Sequence, residues 1–176
     1  MKLITAKNLS IVTLIIALLP TLLITGCSSE DEPTKAGPQI GKPAFDFTLP
    51  GVEGKDISLS DFQEKAVLLN FWQSSCGPCR VEMPYLNSAF KGYSEEAVVL
   101  AVNVGESLSS VKQFTQSSGL VFPVLLDASG SVASKYQIRF FPTTFLIDEQ
   151  GIIQDIKFGA FQSAIEAARE LDTVID

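Results

Sequence analysis

Two cysteines separated by two residues, Cys76 and Cys79, constrain this chain more than any other feature of its sequence. They follow the apolar run 66–71, whose length and content of β-branched and aromatic residues indicate a buried strand. A helix is predicted from Arg80 to about Phe90, so the cysteine pair lies at a strand-to-helix junction. At such a junction, free backbone N–H groups and the helix dipole favour a negative charge on the first sulfur. That charge makes a thiol nucleophilic.

The spacing also lets the two thiols close a small disulfide ring. At a helix start the first sulfur faces outward and the second lies under the turn, so the outer thiolate can attack a disulfide in another molecule and the inner thiol can resolve the mixed disulfide. A zinc site is disfavoured because it normally needs four ligands, and the chain has three cysteines and no histidine. A purely structural disulfide across so short a loop removes little entropy from the unfolded chain. The sequence therefore favours redox chemistry, with no metal and no cofactor.

Residues 1–27 have the features of a targeting segment. Two lysines give a positive start, and an apolar stretch follows over 9–24. The residues at 23–27, Leu-Ile-Thr-Gly-Cys, resemble the lipobox of bacterial lipoproteins, in which small residues precede a cysteine that is lipidated and becomes the new N terminus. We expect a signal peptide over 1–26 and a lipid on Cys27. The alternative is an uncleaved anchor, although the apolar stretch falls just short of the roughly 17–25 residues of a spanning helix. Either arrangement places the rest of the chain outside the cytoplasm, at the membrane.

The segment after the leader has the composition of a tether. Residues 28–41 contain two prolines and show no apolar periodicity, so we expect 27–41 to hold a folded domain, 42–176, away from the membrane. No internal repeat divides that domain. The chain has 13 basic and 20 acidic residues, a net charge of −7. This balance argues against binding to nucleic acid or to anionic lipid, and it is typical of a solvated acidic surface.

The folded part begins with a predicted β-hairpin, since apolar residues alternate at 45–49 and 57–59 on either side of a turn rich in proline and glycine. Strands and helices then alternate. Strands are predicted at 66–71, 97–104, 122–126, 143–147 and 152–158, and helices at 80–90, 109–117, 131–136 and 163–171. Pro84 is expected to kink the first helix. The order predicts an α/β fold, a mixed central sheet with helices on both faces and an N-terminal β-hairpin.

Two motifs in this pattern resemble a known family. Residues 72–80, Trp-Gln-Ser-Ser-Cys-Gly-Pro-Cys-Arg, and residues 141–145, Phe-Pro-Thr-Thr-Phe, are similar to those of thioredoxin-fold thiol:disulfide oxidoreductases. The opening at 41–47 and the stretch at 101–107 narrow the resemblance to the extracytoplasmic TlpA/ResA-like branch. The resemblance spans nearly the whole folded part, and it implies a thioredoxin-like fold.

The resemblance also implies roles for individual residues. Cys76 is the attacking cysteine and Cys79 the resolving one. Pro142 matches the family's cis-proline, which lies across from the pair and lets the backbone of Phe141 dock an extended substrate. The remaining residues expected to dock substrate are Trp72, Gly77 and Pro78.

Glu106 is the predicted acid–base residue. Exchange requires a proton to leave Cys79, and a partly buried carboxylate beside the pair can accept it. The resemblance assigns this position to Glu106; the alternative is a solvated glutamate near a helix start, stabilised by the helix dipole.

Two residues of this chain depart from the pattern of the relatives. Asn70 replaces the buried aspartate of cytoplasmic thioredoxins, a proton relay for which Glu106 is the expected substitute. Ser75 replaces an aromatic residue found in many relatives, which changes the surface offered to a partner.

These features predict a membrane-tethered thiol:disulfide oxidoreductase that reduces protein disulfides outside the cytoplasm and draws electrons from a membrane thiol carrier. The resemblance to ResA-like proteins implies apocytochrome c as a substrate. One alternative is a disulfide-forming oxidant or isomerase, which the Gly77-Pro78 pair of reducing thioredoxins disfavours. A second is a thiol peroxidase, because the hairpin also occurs in peroxiredoxins, although Gln73 stands where those enzymes carry threonine. A third is a lipoprotein that only binds a partner.

Overall fold

The structure, a computed structural model, describes residues 35–93 and 95–175. The predicted leader, the lipidation site at Cys27 and the first part of the tether lie outside the described residues. The strands are β1 (Thr48–Pro50), β2 (Asp56–Ser58), β3 (Ala66–Trp72), β4 (Ala97–Val104), β5 (Val124–Asp127), β6 (Thr143–Ile147) and β7 (Ile153–Phe158). The helices are α1 (Gly77–Tyr93), α2 (Leu108–Ser118), α3 (Ser131–Lys135) and α4 (Ala164–Asp172).

Strands β3 to β7 form one sheet in the order β5-β4-β3-β6-β7, while β1 and β2 pair with each other as an antiparallel hairpin. β3 is parallel to β4 and antiparallel to β6. Every residue of β3 and β4 is buried, because central parallel strands are covered on both faces, and this explains their continuous apolar sequences. The fold is the predicted thioredoxin-like α/β arrangement with an N-terminal hairpin.

The strand register brings three loops to one edge of the sheet. Trp72, at the end of β3, pairs with Asn103 of β4, and Phe71 pairs with Thr143 at the start of β6. The loops that leave β3 and β4 and the loop that enters β6 therefore lie next to one another. The sheet thus assembles the segments of the predicted site.

Helix α1 begins earlier and ends later than predicted. It starts at Gly77, between the two cysteines, and continues through Pro84 to Tyr93. A proline inside a helix removes one backbone donor, but an apolar stripe that includes Met83 and Leu86 is fully buried and holds the helix against the sheet. No helix in the described ranges is both long enough and apolar enough to cross a bilayer.

Candidate active site

The two cysteines of the motif are joined by a disulfide bond at the start of α1. Their exposure differs, since Cys76 is partly exposed and Cys79 is fully buried. The backbone N–H of Cys79 donates to Sγ of Cys76 over 3.2 Å. In the reduced protein this donor and the N terminus of the helix favour a thiolate on Cys76. The arrangement gives an accessible outer sulfur and an enclosed inner one.

The loop before β6 lies across from this pair. The peptide bond between Phe141 and Pro142 is cis, as the resemblance implies, and the carbonyl oxygen of Phe141 lies 3.6 Å from Sγ of Cys76. Phe141 is partly exposed and Pro142 is buried. An extended chain that reaches Cys76 can therefore meet the backbone of Phe141. Gly77 and Pro78, which were also expected to dock substrate, are exposed beside the sulfur.

Trp72 differs from its predicted role. The side chain is fully buried, and its ring centroid lies 5.1 Å from that of Phe114 on α2. A side chain with no exposed surface cannot contact a docked substrate directly. Trp72 therefore supports the site indirectly, through its packing against Phe114.

Glu106 lies in the loop after β4 and holds the loop that precedes Cys76. Its Oε2 accepts hydrogen bonds from the backbone N–H of Ser74 at 2.7 Å and from Nδ2 of Asn103 at 2.6 Å. Its Oε1 accepts one from the hydroxyl of Ser74 at 2.8 Å. Burial, the largest effect, opposes ionisation, but the hydrogen bonds from Asn103 and Ser74 outweigh it and hold the pKa of Glu106 below its usual value. The carboxylate of Glu106 is thus ionised, and both of its oxygens accept hydrogen bonds from Ser74 in the loop before Cys76.

A second carboxyl group, which the sequence interpretation missed, lies inside the protein. Glu82 is three residues after Cys79 on α1, and residues at that spacing are neighbours on one helix face. Both side chains are fully buried. Glu82 accepts hydrogen bonds from Nδ2 of Asn70 and from the backbone N–H of Phe161, each over 3.0 Å. The position that lacks the thioredoxin aspartate is therefore in contact with a different buried acid, Glu82.

The surroundings of Glu82 make it a weak acid. Burial, the largest effect, raises its pKa to about 7. The hydrogen bonds from Phe161 and Asn70 and the positive charge of Lys157 oppose this rise, whereas the negative charge of Glu166 adds to it. Lys157 and Glu166 form an ion pair over 2.6 Å. A pKa near neutrality allows a carboxyl group both to take up and to release a proton under ordinary conditions.

Comparison with known proteins agrees with this geometry. The profile of the AhpC/TSA family matches residues 40–156. The chain belongs to this family. It is 39% identical over 141 residues to the thiol-disulfide oxidoreductase ResA of Geobacillus kaustophilus, covering 80% of each chain. It is 40% identical over 126 residues to the protein of that name from Bacillus subtilis, covering 71% of this chain and 70% of the relative.

Solved structures of thiol:disulfide oxidoreductases are also similar to this chain. A structure described as a putative thiol:disulfide interchange protein DsbE from Chlorobium tepidum is similar with a TM-score of 0.71 and 32% identity, over 77% of this chain and 96% of that one. Together with the disulfide at Cys76 and Cys79, these relatives make the AhpC/TSA member described here a thiol-disulfide oxidoreductase of the ResA and DsbE type.

Proposed function

We propose that this protein reduces protein disulfides outside the cytoplasm and is held at the membrane by a lipid on Cys27. The observation that carries the proposal is the pairing of a partly exposed sulfur on Cys76 with a buried sulfur on Cys79, one helical turn from the buried acid Glu82. The Gly77-Pro78 dipeptide, which the resemblance associates with reducing thioredoxins, supports this direction of electron flow.

In the first step the thiolate of Cys76 attacks one sulfur of a substrate disulfide. The substrate S–S bond breaks, one substrate sulfur leaves as a thiolate, and Cys76 is joined to the other in a mixed disulfide. The cis-proline loop supports this step, because the carbonyl oxygen of Phe141 lies 3.6 Å from the sulfur of Cys76 and offers an acceptor to the backbone of an extended substrate.

In the second step the thiol of Cys79 loses its proton to the carboxylate of Glu82, and the resulting thiolate attacks Sγ of Cys76. The mixed disulfide breaks, the second substrate sulfur leaves as a thiolate, and the disulfide between Cys76 and Cys79 forms. Two electrons have then passed from the protein to the substrate. Proton transfer to a positioned carboxylate is effective here because a buried thiol has no solvent base beside it.

Glu106 has a different place in this scheme. Because Glu106 accepts hydrogen bonds from Ser74 and Ser75 in the loop before Cys76 and from Asn103, we propose that it orients that loop. The acid–base role predicted for Glu106 from the sequence is the alternative. The two roles differ in their effect on the pH dependence of exchange.

The proposed substrate is apocytochrome c, the class implied by the resemblance to ResA-like proteins, and the proposed electron donor is a membrane thiol carrier. A strain that lacks this protein should accumulate immature cytochrome c, and a Cys76→Ser copy should fail to restore maturation. A Cys27→Ala copy should be released from the membrane fraction and restore it poorly. Normal cytochrome c maturation in the deletion strain would exclude this substrate.

The direction of electron flow is tested by the midpoint potential of the Cys76 and Cys79 pair in the detergent-solubilised full chain. A value near or below about −270 mV, that of thioredoxin, is expected for a reductant. A value near about −120 mV, that of strong periplasmic oxidants, would instead make the protein an oxidant.

A further inference from the structure

A groove lies beside the redox pair, between the first turn of α1 and one side of α2. Its volume is about 730 Å³, within the range typical of ligand sites, roughly 300–1,000 Å³. Ser74 and Gly77 line it, and these residues flank Cys76 in the chain. The groove therefore borders the segment of chain that carries Cys76, whose sulfur forms the mixed disulfide. Its opposite wall includes Gln113 and Ser117 of α2.

Among the described residues, Arg80 is the only charged one that lines this groove. Its side chain is exposed, and within the described residues it has no ion pair and no side-chain hydrogen bond. Arg80 follows Cys76 by four residues, and its backbone N–H donates to the carbonyl oxygen of Cys76 over 3.1 Å. Residues at this spacing are neighbours on a helix surface. An unpaired guanidinium thus lies one turn from the attacking cysteine, in a chain whose net charge is −7.

The groove also contains apolar surface. Val81 is 55% exposed within it. Phe114 is partly exposed there and is held in place by its packing on Trp72. A groove lined by an exposed valine, an aromatic ring and a cation is suited to a polypeptide segment that carries both an apolar and an acidic side chain.

We propose that this groove binds the stretch of substrate polypeptide beside the cysteine that Cys76 attacks, with a substrate carboxylate on Arg80 and an apolar side chain on Val81 and Phe114. This inference rests on the proposed function, because it takes the occupant to be a protein disulfide substrate. An extended chain advances about 3.3–3.6 Å per residue, so residues two or three positions from the cysteine lie about 7–11 Å from it. Arg80 lies one helical turn from Cys76, about 5.4 Å along the helix axis, so such substrate residues can reach it. Arginine binds carboxylates through two parallel hydrogen bonds, which favours it over a simple positive charge.

The charge preference is tested with two cyclic disulfide peptides that differ only in Glu or Lys three residues from one cysteine. The second-order rate constant for their reduction by the reduced full-length protein is measured for the wild type, Arg80→Glu and Lys91→Glu. Lys91 is the matched control, since it is exposed on the last turn of the same helix and outside the groove. For each protein, the rate constant for the Glu peptide is divided by that for the Lys peptide. A change in the reactivity of the thiols affects both rate constants equally and therefore cancels in this ratio.

The expected result is that the wild type and Lys91→Glu prefer the Glu peptide by about two- to fivefold, the range of an exposed ion pair, and that Arg80→Glu prefers the Lys peptide. Equal ratios in all three proteins would overturn the proposal. If the preference moved in Lys91→Glu as strongly as in Arg80→Glu, it would reflect overall charge and the proposal would again be wrong.

A second experiment tests whether the groove is occupied. Ser117→Trp places a large ring in the groove, whereas Gln116→Trp adds the same ring to an exposed position of α2 outside it. Ser117→Trp should slow peptide reduction severalfold and leave reduction of the small neutral 2-hydroxyethyl disulfide unchanged, and Gln116→Trp should change neither. If the two variants reduced the peptides at equal rates, the proposal that the groove binds the substrate would be wrong. It would also be wrong if Ser117→Trp slowed reduction of the peptides and of 2-hydroxyethyl disulfide equally. Failure of the wild type to reduce any disulfide would instead overturn the proposed function.

Discussion

Asn70 donates one amide hydrogen to Oε1 of Glu82 over 3.0 Å and another to the hydroxyl oxygen of Thr144 over 2.9 Å, while its Oδ1 has no partner among the described residues. All three side chains are fully buried. The donated hydrogen stabilises the ionised carboxylate. When Glu82 is protonated, its O–H needs an acceptor, and rotation of the amide by half a turn would offer Oδ1. Asn70 can therefore pair with both protonation states of Glu82.

Replacing Asn70 with leucine, which has a similar shape, should raise the pKa of Glu82. The variant removes a hydrogen bond to a charged group, worth about 1.5–3 kcal/mol, so the titration midpoint should rise by about one to two pH units. The C=O stretch of the protonated carboxyl group in infrared difference spectra measures it. Thr144→Val is the control, since it removes the other partner of Asn70 and leaves the donor to Glu82 in place. An unchanged midpoint in Asn70→Leu would contradict the assigned contact.

The raised pKa of Glu82 should make the oxidised protein less stable as the pH rises. In the unfolded chain the carboxyl ionises near pH 4.5, and in the folded protein near pH 7. Between these values the folded state holds the extra proton, so the free energy of unfolding falls with rising pH. A difference of this size corresponds to about 3 kcal/mol. Chemical denaturation from pH 5 to 7.5 measures the fall, and Glu82→Gln, which cannot ionise, should abolish it. The same slope in both proteins would assign the pH dependence to other groups.

Glu82→Gln should also slow the resolving step. A positioned base contributes about 10²–10⁴-fold to proton transfer, so the mixed disulfide should persist about a hundredfold longer in the variant. Rapid-mixing experiments that follow release of the second substrate thiol measure this rate. In the wild type the rate should rise with pH through about 7 as Glu82 becomes ionised, and in the variant this rise should disappear. A variant that resolves at the wild-type rate would remove Glu82 from the mechanism.

Glu106→Gln separates loop orientation from acid–base chemistry. A glutamine has one oxygen to accept the hydrogen bonds that two carboxylate oxygens accept from Ser74 and Asn103. We expect exchange to slow about three- to tenfold, consistent with the loss of about 1 kcal/mol, with little change in unfolding temperature. For an orienting residue, the rise of the rate near pH 7 remains. Loss of that rise would give Glu106 the acid–base role, and unchanged kinetics would exclude it from the mechanism.

The central strands could be predicted from the sequence because burial on both faces of the sheet requires apolar residues at consecutive positions. β4 and β6 have the predicted bounds, 97–104 and 143–147, since strands buried on both faces give continuous apolar runs. The start of α1 was placed too late. Glycine and proline usually interrupt helices, yet proline is favoured in the first helical turn, where its missing N–H has no partner to lose. Gly77 and Pro78 therefore begin the helix that they were expected to precede.

The misread site residues depend on contacts between distant parts of the chain. Trp72 was expected to dock substrate, and its ring instead packs against Phe114 of α2, which lies far along the sequence. Glu82 was passed over because glutamate is rarely buried, and its burial is made possible by donors from β3 and from Phe161. A local signal did exist, because Glu82 falls between Cys79 and Met83 on the apolar stripe of the helix. A charged residue in such a stripe beside a cysteine pair predicts a buried acid.

The unequal exposure of the two sulfurs predicts which cysteine can be trapped on a substrate. In Cys79→Ser the thiolate of Cys76 can still attack, but nothing resolves the product, so a covalent adduct with a disulfide substrate should accumulate through Cys76. In Cys76→Ser the remaining sulfur is fully buried, and adducts should be at least tenfold fewer, because thiol–disulfide exchange requires access to the attacking sulfur. Non-reducing electrophoresis and mass spectrometry of the adducts measure both. The double variant is the control for non-covalent association. Adducts through Cys79 alone would reverse the assigned roles, and no adduct in either single variant would favour a lipoprotein that binds its partner without exchange.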